Sequence, residues 1–446
     1  MKQLCIFLLG LLGVLYVNAQ GNGQADSSKY SYHFQLTAIN QSHTAFPVKY
    51  VGANSLIHDA EGKKLSLTST LFLGTPLWKN ASLYFNPEVT GGQGLSAAKG
   101  IAGFTNGETF RIGSTAPVLY IARLFFRQNI ALPNSAYEMV FDDVNQVREK
   151  LPTSRITIHA GKLSLSDYFD RNSYSHDPRG QFLNWSLMSN GAWDYPADTR
   201  GYTQALVVEL IKPTWAIRVS TAMVPLKANG LQLDENILKA HSETIELEKK
   251  WNLNGKPGTI RLLGFHTLSQ APTYLKTVAQ VKLGDSSSVD VYSGQKVWGI
   301  YGGLKYGYGI NVEQSFSNTV GGFFKASWND GKTATWAFTE IDQSMSAGVQ
   351  ILGTAWKRPN DYVGVAHVIN GISKDHQAFL KAGLNGFMIG DGNLNYGSES
   401  ITELYYKARL TKSFWLSADY QLVFNPGYNN DSGSVNVFAI RGHVEF

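Results

Sequence analysis

Cysteine is nearly absent. The one residue, Cys5, lies inside the first apolar run. A chain so poor in thiols has no disulfide framework, no thiolate metal site and no Cys nucleophile beyond that position. Long apolar runs are missing after Val17, so no transmembrane helix is predicted. Charge is scarce too: 16% of residues are charged and the formal net charge is +5, too mild to suggest nucleic acid as a partner. The ten histidines are scattered and none has His-Glu-x-x-His spacing, so no metal centre is expected. Gly94-Leu95-Ser96-Ala97-Ala98 approaches a nucleophile elbow, but the last glycine is absent and no helix signal follows. Gly390-Asp391-Gly392 lacks the third glycine of a dinucleotide loop and has no parallel-sheet context. Carboxylates are plentiful, yet nothing sets two of them at a glycosidase separation. No fixed-period repeat points to a solenoid or propeller. No enzyme and no cofactor are expected from this pattern.

The chain begins as a secretory leader. Met1-Lys2 is a short basic start, Cys5 to Val17 is apolar, and Val17-Asn18-Ala19 is a small-residue cleavage site. Residues 1–19 are therefore predicted to be a signal peptide. Cys5 stands at the front of the apolar run, where a lipoprotein attachment site would not be. The polar Gly21 to Lys29 makes residues 20–29 a flexible lead-in, and residues 30–446 are predicted to form one domain.

The full chain is rich in glycine (44), phenylalanine (23) and tyrosine (22). Its segments alternate with a period of two. The last stretch, Gly433 to Phe446, sets Phe438, Ile440, Gly442, Val444 and Phe446 on one side and Val437, Ala439, Arg441, His443 and Glu445 on the other. This is a strand with one apolar and one wetter face. A strand that ends the chain on an aromatic ring suits the closing strand of an outer-membrane β-barrel, with Phe446 in the aromatic girdle. A soluble β-sandwich is the competing fold.

Further strands are predicted at Tyr30 to Ile39, Leu65 to Leu73, Ala81 to Val89, Val118 to Ile130, Ile156 to Leu165, Ala205 to Ile211 and Trp215 to Met223. The turn at Pro76 is short, as on a periplasmic side. His241 to Trp251 and Thr259 to Leu268 are predicted to pair across Asn254 to Gly258. From Lys305 to Val368 strands follow quickly, broken at Ser317-Asn318, Asn329 to Gly331, Gln343-Ser344 and Arg358 to Asp361. Thr402 to Leu410 and Phe414 to Phe424 precede the final strand. Glu138 to Lys150 reads as a short amphipathic helix or ordered linker. Ser269 to Gln295 and Ile369 to Ser400 read as loops. The count is about 17 strands, whereas a single-chain bacterial barrel has an even number, so the expected totals are about 16 or about 18.

The distinctive chemistry is in the long connections. Thr90 to Ala116 is Gly-rich and carries Glu108 and Arg111. The next strand sets Arg123 and Arg127 on one face. Ser166 to Gly201 mixes charge with large rings: Asp167, Tyr168, Asp170, Arg171, Asp177, Arg179, Trp185, Trp193, Asp194, Tyr195, Asp198 and Arg200. A sugar offers apolar C–H faces and a belt of hydroxyls. Flat rings match the first, while Asp acceptors and Arg forks match the second. The plainer reading is a large loop folded on itself by ion pairs around a small aromatic core. The predicted contact set is Glu108, Arg111, Arg123, Arg127, Asp167, Asp170, Arg171, Asp177, Arg179, Trp185, Trp193, Asp194 and Tyr195.

Gly161 to Met188 resembles a segment of the OprB-type carbohydrate-selective porins. So do Trp328-Asn329-Asp330-Gly331, Phe338 to Asp342, Asn370 to Ser373, and the tail Glu399 to Phe446 with Asn425-Pro426-Gly427-Tyr428 and Arg441-Gly442-His443. The likeness covers nearly all of the chain after the leader. It implies an all-β transmembrane antiparallel barrel of sixteen strands in the bacterial outer membrane, with long loops partly folded into the lumen. It also implies passive diffusion of glucose and other mono- and oligosaccharides, contact with outer-membrane lipid, and no nucleic acid. A homotrimer is left open. The rival reading is a barrel enzyme acting on lipid or polysaccharide.

Overall fold

Among the described residues, the period-two segments are realised as antiparallel strands. The structure, a computed structural model, describes residues 30–108 and 115–446; the predicted leader and Arg111 lie outside these. The strands are β1 Ser31–His43, β2 Glu61–Pro76, β3 Ala81–Gly92, β4 Val118–Ala131, β5 Tyr137–Val140, β6 Glu149–Pro152, β7 Arg155–Leu163, β8 Thr203–Lys212 and β9 Trp215–Ala222. They continue with β10 His241–Leu253, β11 Lys256–Ser269, β12 Gly303–Ser315, β13 Val320–Asn329, β14 Gln343–Leu352, β15 Tyr362–Gly371, β16 Glu399–Arg409, β17 Phe414–Phe424 and β18 Val435–Glu445.

Sixteen of these close a barrel, and β5 and β6 form a separate two-stranded sheet. Closure comes from β1, which pairs with β2 on one side and with β18 on the other. Phe34 and Phe446 exchange both backbone hydrogen bonds, at 2.9 and 3.1 Å. Their rings stack with centroids 5.6 Å apart. Closing the sheet leaves no unpaired edge.

The two faces of the wall differ as the alternation requires. On β18 and at the residue that follows it, Phe438, Ile440 and Phe446 are 46%, 59% and 38% exposed, while Val437, Arg441 and His443 are buried. The same outward apolar set recurs around the barrel, for example Leu119, Leu206, Leu262 and Leu416. An exterior of this kind is matched to hydrocarbon rather than water. The core is inside the barrel. Phe104, Trp185, Trp193, Tyr195, Trp336 and Phe338 are buried together there, carried by loops that enter from the end opposite the termini.

Four local expectations need correction. The breaks at Gly331 and Gln343 imply a strand over 332–342, and this is the surplus one. The segment is a lumenal loop in which the N–H groups of Trp336, Ala337, Phe338 and Thr339 donate to the Asp194 carboxylate instead of a neighbouring strand. Gln343 begins β14. Glu138 to Lys150 is not helical, because Tyr137–Val140 pairs with Glu149–Pro152 as a hairpin. Pro257 lies inside β11, because the turn before it needs only Asn254 (φ 50°) and Gly255 (φ 79°). Two positive φ values make this the tight turn that suits right-twisted strands. The stretches read as loops hold helices at Tyr274–Lys282 and Lys374–Lys381.

Candidate functional site

A polar chain segment folded into a barrel must satisfy its backbone groups. Here carboxylates on the inner wall do so. On β16, Glu399 accepts from Ala102 N and Gly103 N at 2.9 and 2.7 Å. Glu403 accepts from Leu183 N and Asn184 N at 2.6 and 2.8 Å. Further round the wall, Glu246 of β10 accepts from Asp170 N at 2.7 Å, and Glu313 of β12 from Ser173 N at 2.6 Å. Asn184 caps the one-turn helix Trp185–Met188, and Lys325 of β13 donates to Leu187 and Met188 carbonyls at its other end. Residues 93–108 and 164–202 are thus tethered to the inner wall and held within the lumen.

Between them and strands β1–β4 lies a cavity of about 520 Å³. Its charged groups are interlocked. Arg123 holds Asp167 with both fork nitrogens at 2.7 Å. Arg179 donates to Glu108 at 2.8 Å, to Gln35 at 2.6 Å and, at 3.4 Å, to Glu88. Glu88 also accepts from Thr70 and Tyr120 hydroxyls at 2.5 Å each and from Tyr202 at 2.9 Å. Planar forks make these pairs geometrically specific. Burial pushes the Glu108 carboxyl up to about 7, against the pull of Arg179, with Glu88 and Asp177 adding to the rise. Burial opposes the charge of Arg179, but Glu108 and Glu88 hold its guanidinium above the ordinary value.

Rings line the same space. The Arg200 guanidinium sits 4.1 Å from the Tyr120 ring centroid, and that of Arg123 sits 5.2 Å from Tyr202. Trp185 stacks on Tyr195 at 5.7 Å, and Tyr195 meets Phe338 at 4.9 Å. Fork donors, carboxylate acceptors and flat apolar faces therefore converge on one passage. That combination suits a solute with many hydroxyls and apolar faces between them.

Of the residues expected from sequence, Glu108, Arg123, Asp167, Asp177, Arg179, Trp185 and Tyr195 line this cavity. The others are engaged elsewhere. Arg127 donates to Gln146 and Glu149 of the β5–β6 hairpin. Asp170 accepts from Asn190 and Asn311. Asp194 binds the 336–339 backbone, and Trp193 is buried against Phe169 and Tyr195. Arg171 is exposed and not part of the cavity lining. Sequence reasoning did not select Gln35, Glu88, Tyr120, Tyr202 and Phe338. The one available signal was inward register on a strand, which Glu88 shares with Glu209, Glu246, Glu248 and Glu313.

A closed sixteen-stranded antiparallel barrel with an apolar exterior and a constricted polar lumen defines the outer-membrane porin class. Residues 64–446 match the carbohydrate-selective porin, OprB family. The chain belongs to that family, and its place is the Gram-negative outer membrane. The high-pH structure of Pseudomonas putida OprB has the same fold, with TM-score 0.70 and 16% identity over 94% of each chain. The low-pH structure of that protein gives TM-score 0.48 and 12% identity, covering 94% of this chain and 93% of the other. Pseudomonas aeruginosa OccK2 (OpdF) gives TM-score 0.46 and 8% identity over 94% and 97%. No curated protein sequence matches the chain.

Proposed function

We propose that this porin passes mono- and oligosaccharides, glucose among them, by passive diffusion through a water-filled lumen. The observation that carries the reading is the cavity where the Arg123–Asp167 and Arg179–Glu108 pairs face Tyr120, Tyr202, Trp185 and Tyr195. Sugar hydroxyls exchange hydrogen bonds with the forks and carboxylates while ring faces slide over the aromatics. The ion pairs already satisfy one another, so a passing sugar borrows donors and acceptors without leaving a bare charge behind. Binding stays weak, which flux requires. The outward belt of Leu, Ile and Phe side chains sits in outer-membrane lipid.

Purified protein in liposomes tests this. Swelling is expected in glucose and in a disaccharide, and both sugars are expected to reduce the ion current through single channels. A conducting channel whose current no sugar reduces, and whose flux follows solute size alone, would overturn the sugar reading and leave a general porin.

A further inference from the structure

Six connections at the end that carries the termini are short: 77–80, 213–214, 254–255, 316–319, 353–361 and 410–413. The remaining one, 132–154, holds the β5–β6 hairpin, and it turns back into the barrel. Its seat is built into the wall. Val147 is buried and its N–H donates to the Tyr84 hydroxyl at 3.3 Å. Gly74 lies opposite, where a Cβ would come within 2.9 Å of the Tyr84 ring and 3.1 Å of Val147. Asn86 donates to Asn145 at 3.0 Å. Arg127 holds Gln146 and Glu149 with separate fork nitrogens. His33 of β1 pairs with Asp142 at 3.1 Å, so the hairpin is held from four neighbouring strands.

Val144 and Asn145 at its tip line the same cavity as Glu88, Arg123 and Arg179. Asn86, which holds the tip, is two residues from Glu88 along β3, or roughly 7 Å towards the periplasm. We propose that the hairpin is a second, fixed sieve at the periplasmic exit of the pore, directly below the charged constriction. Its tip presents an apolar edge and an amide rather than ions, so it limits solute size without adding a binding site. This deepens the sugar reading by giving the channel an exit limit, and ion conductance tests it independently of any sugar.

The experiment replaces residues 132–154 by a two-residue Asn-Gly turn in the full-length porin. Residues Ala131 and Arg155 already pair directly, as Lys212 and Trp215 do around their own two-residue turn. Single-channel conductance is expected to rise about twofold as the narrowest exit widens, and neutral solutes too large for the native channel should enter. The affinity of sugar block should stay the same. Unchanged conductance and an unchanged size limit would overturn the proposal. If the shortened barrel does not assemble, Val144→Cys serves instead, since Cys5 is the only other cysteine in the sequence. A bulky hydrophilic thiol reagent is expected to cut its current by about half, and labelled channels with full current would overturn the sieve. Sugar that fails to block both native and shortened channels would count against the sugar reading alone.

Discussion

Glu108 offers the sharpest test of the constriction. Burial raises its carboxyl to about 7, so lowering the pH from about 8 to about 6 removes one negative charge beside Arg179. A unit charge roughly 8 Å from a passing ion changes that ion's energy by about 0.5 kcal/mol in water. Cations lose this stabilisation and anions lose the matching repulsion. The K⁺/Cl⁻ permeability ratio is therefore expected to fall about fivefold on acidification. Reversal potentials in a KCl gradient read this directly, and low salt is required because screening shortens the field. The midpoint should lie near 7. His176, which also lines the cavity, is pushed below its ordinary value by burial and by Lys325, so it responds at more acid pH. Glu108→Gln should be flat through the window and resemble the native channel at low pH. A native channel with no transition between about pH 6 and 8, or an E108Q channel that keeps it, would refute the assignment. Linkage runs in the same sense: a carboxyl raised above its free value favours the fold most at low pH, and that contribution is lost as pH rises through about 7.

Other outcomes are expected from the same geometry. Arg123→Ala leaves Asp167 without its fork, a loss of about 1.5–3 kcal/mol for the charged hydrogen bonds, and should weaken sugar block about tenfold; Arg123→Lys should recover only part, because a point charge does not replace a bidentate fork. Asp194→Ala strips the acceptor from four backbone N–H groups, and should expose 334–341 to limited proteolysis and make the open current noisy. Phe446→Ala removes the stack on Phe34, worth about 0.5–1.5 kcal/mol; heat-modified mobility on gels should show a lower melting temperature, and an unchanged one would mean the closing seam does not depend on that ring.

The barrel was legible because a closed sheet between hydrocarbon and water imposes one rule on every strand. The terminal strand shows it best: Phe438, Ile440 and Phe446 face out while Arg441 and His443 face in, as the alternation alone predicts. The rule misled at 332–342, where lumenal packing of Trp336 and Phe338 against other loops mimics a strand's alternation. It said little about Glu138 to Lys150, where a short acidic stretch reads as a helix or an ordered linker until the pairing of β5 with β6 is known.

The constriction was only half legible. A loop dense in Arg, Asp and rings announces itself, and Arg123, Asp167, Glu108 and Arg179 do meet in the cavity. Asp170 and Asp194 carry the same side chain in the same loop, yet one anchors it to the wall and the other clamps a neighbouring loop. Glu88 and Glu403 both point inward from strands, but the first faces the pore and the second is consumed by Leu183 and Asn184 N–H groups.

The residue pattern by itself determined the class of fold, the direction of each strand's faces and the closing role of the last strand, because these follow from local period and from which solvent each face meets. Only the tertiary structure decided which inward carboxylates line the cavity, which tether loops, and that one turn at the end carrying the termini re-enters the barrel. Those outcomes depend on where distant backbone donors come to rest, and a donor's final partner is a property of the packed lumen rather than of any segment read alone.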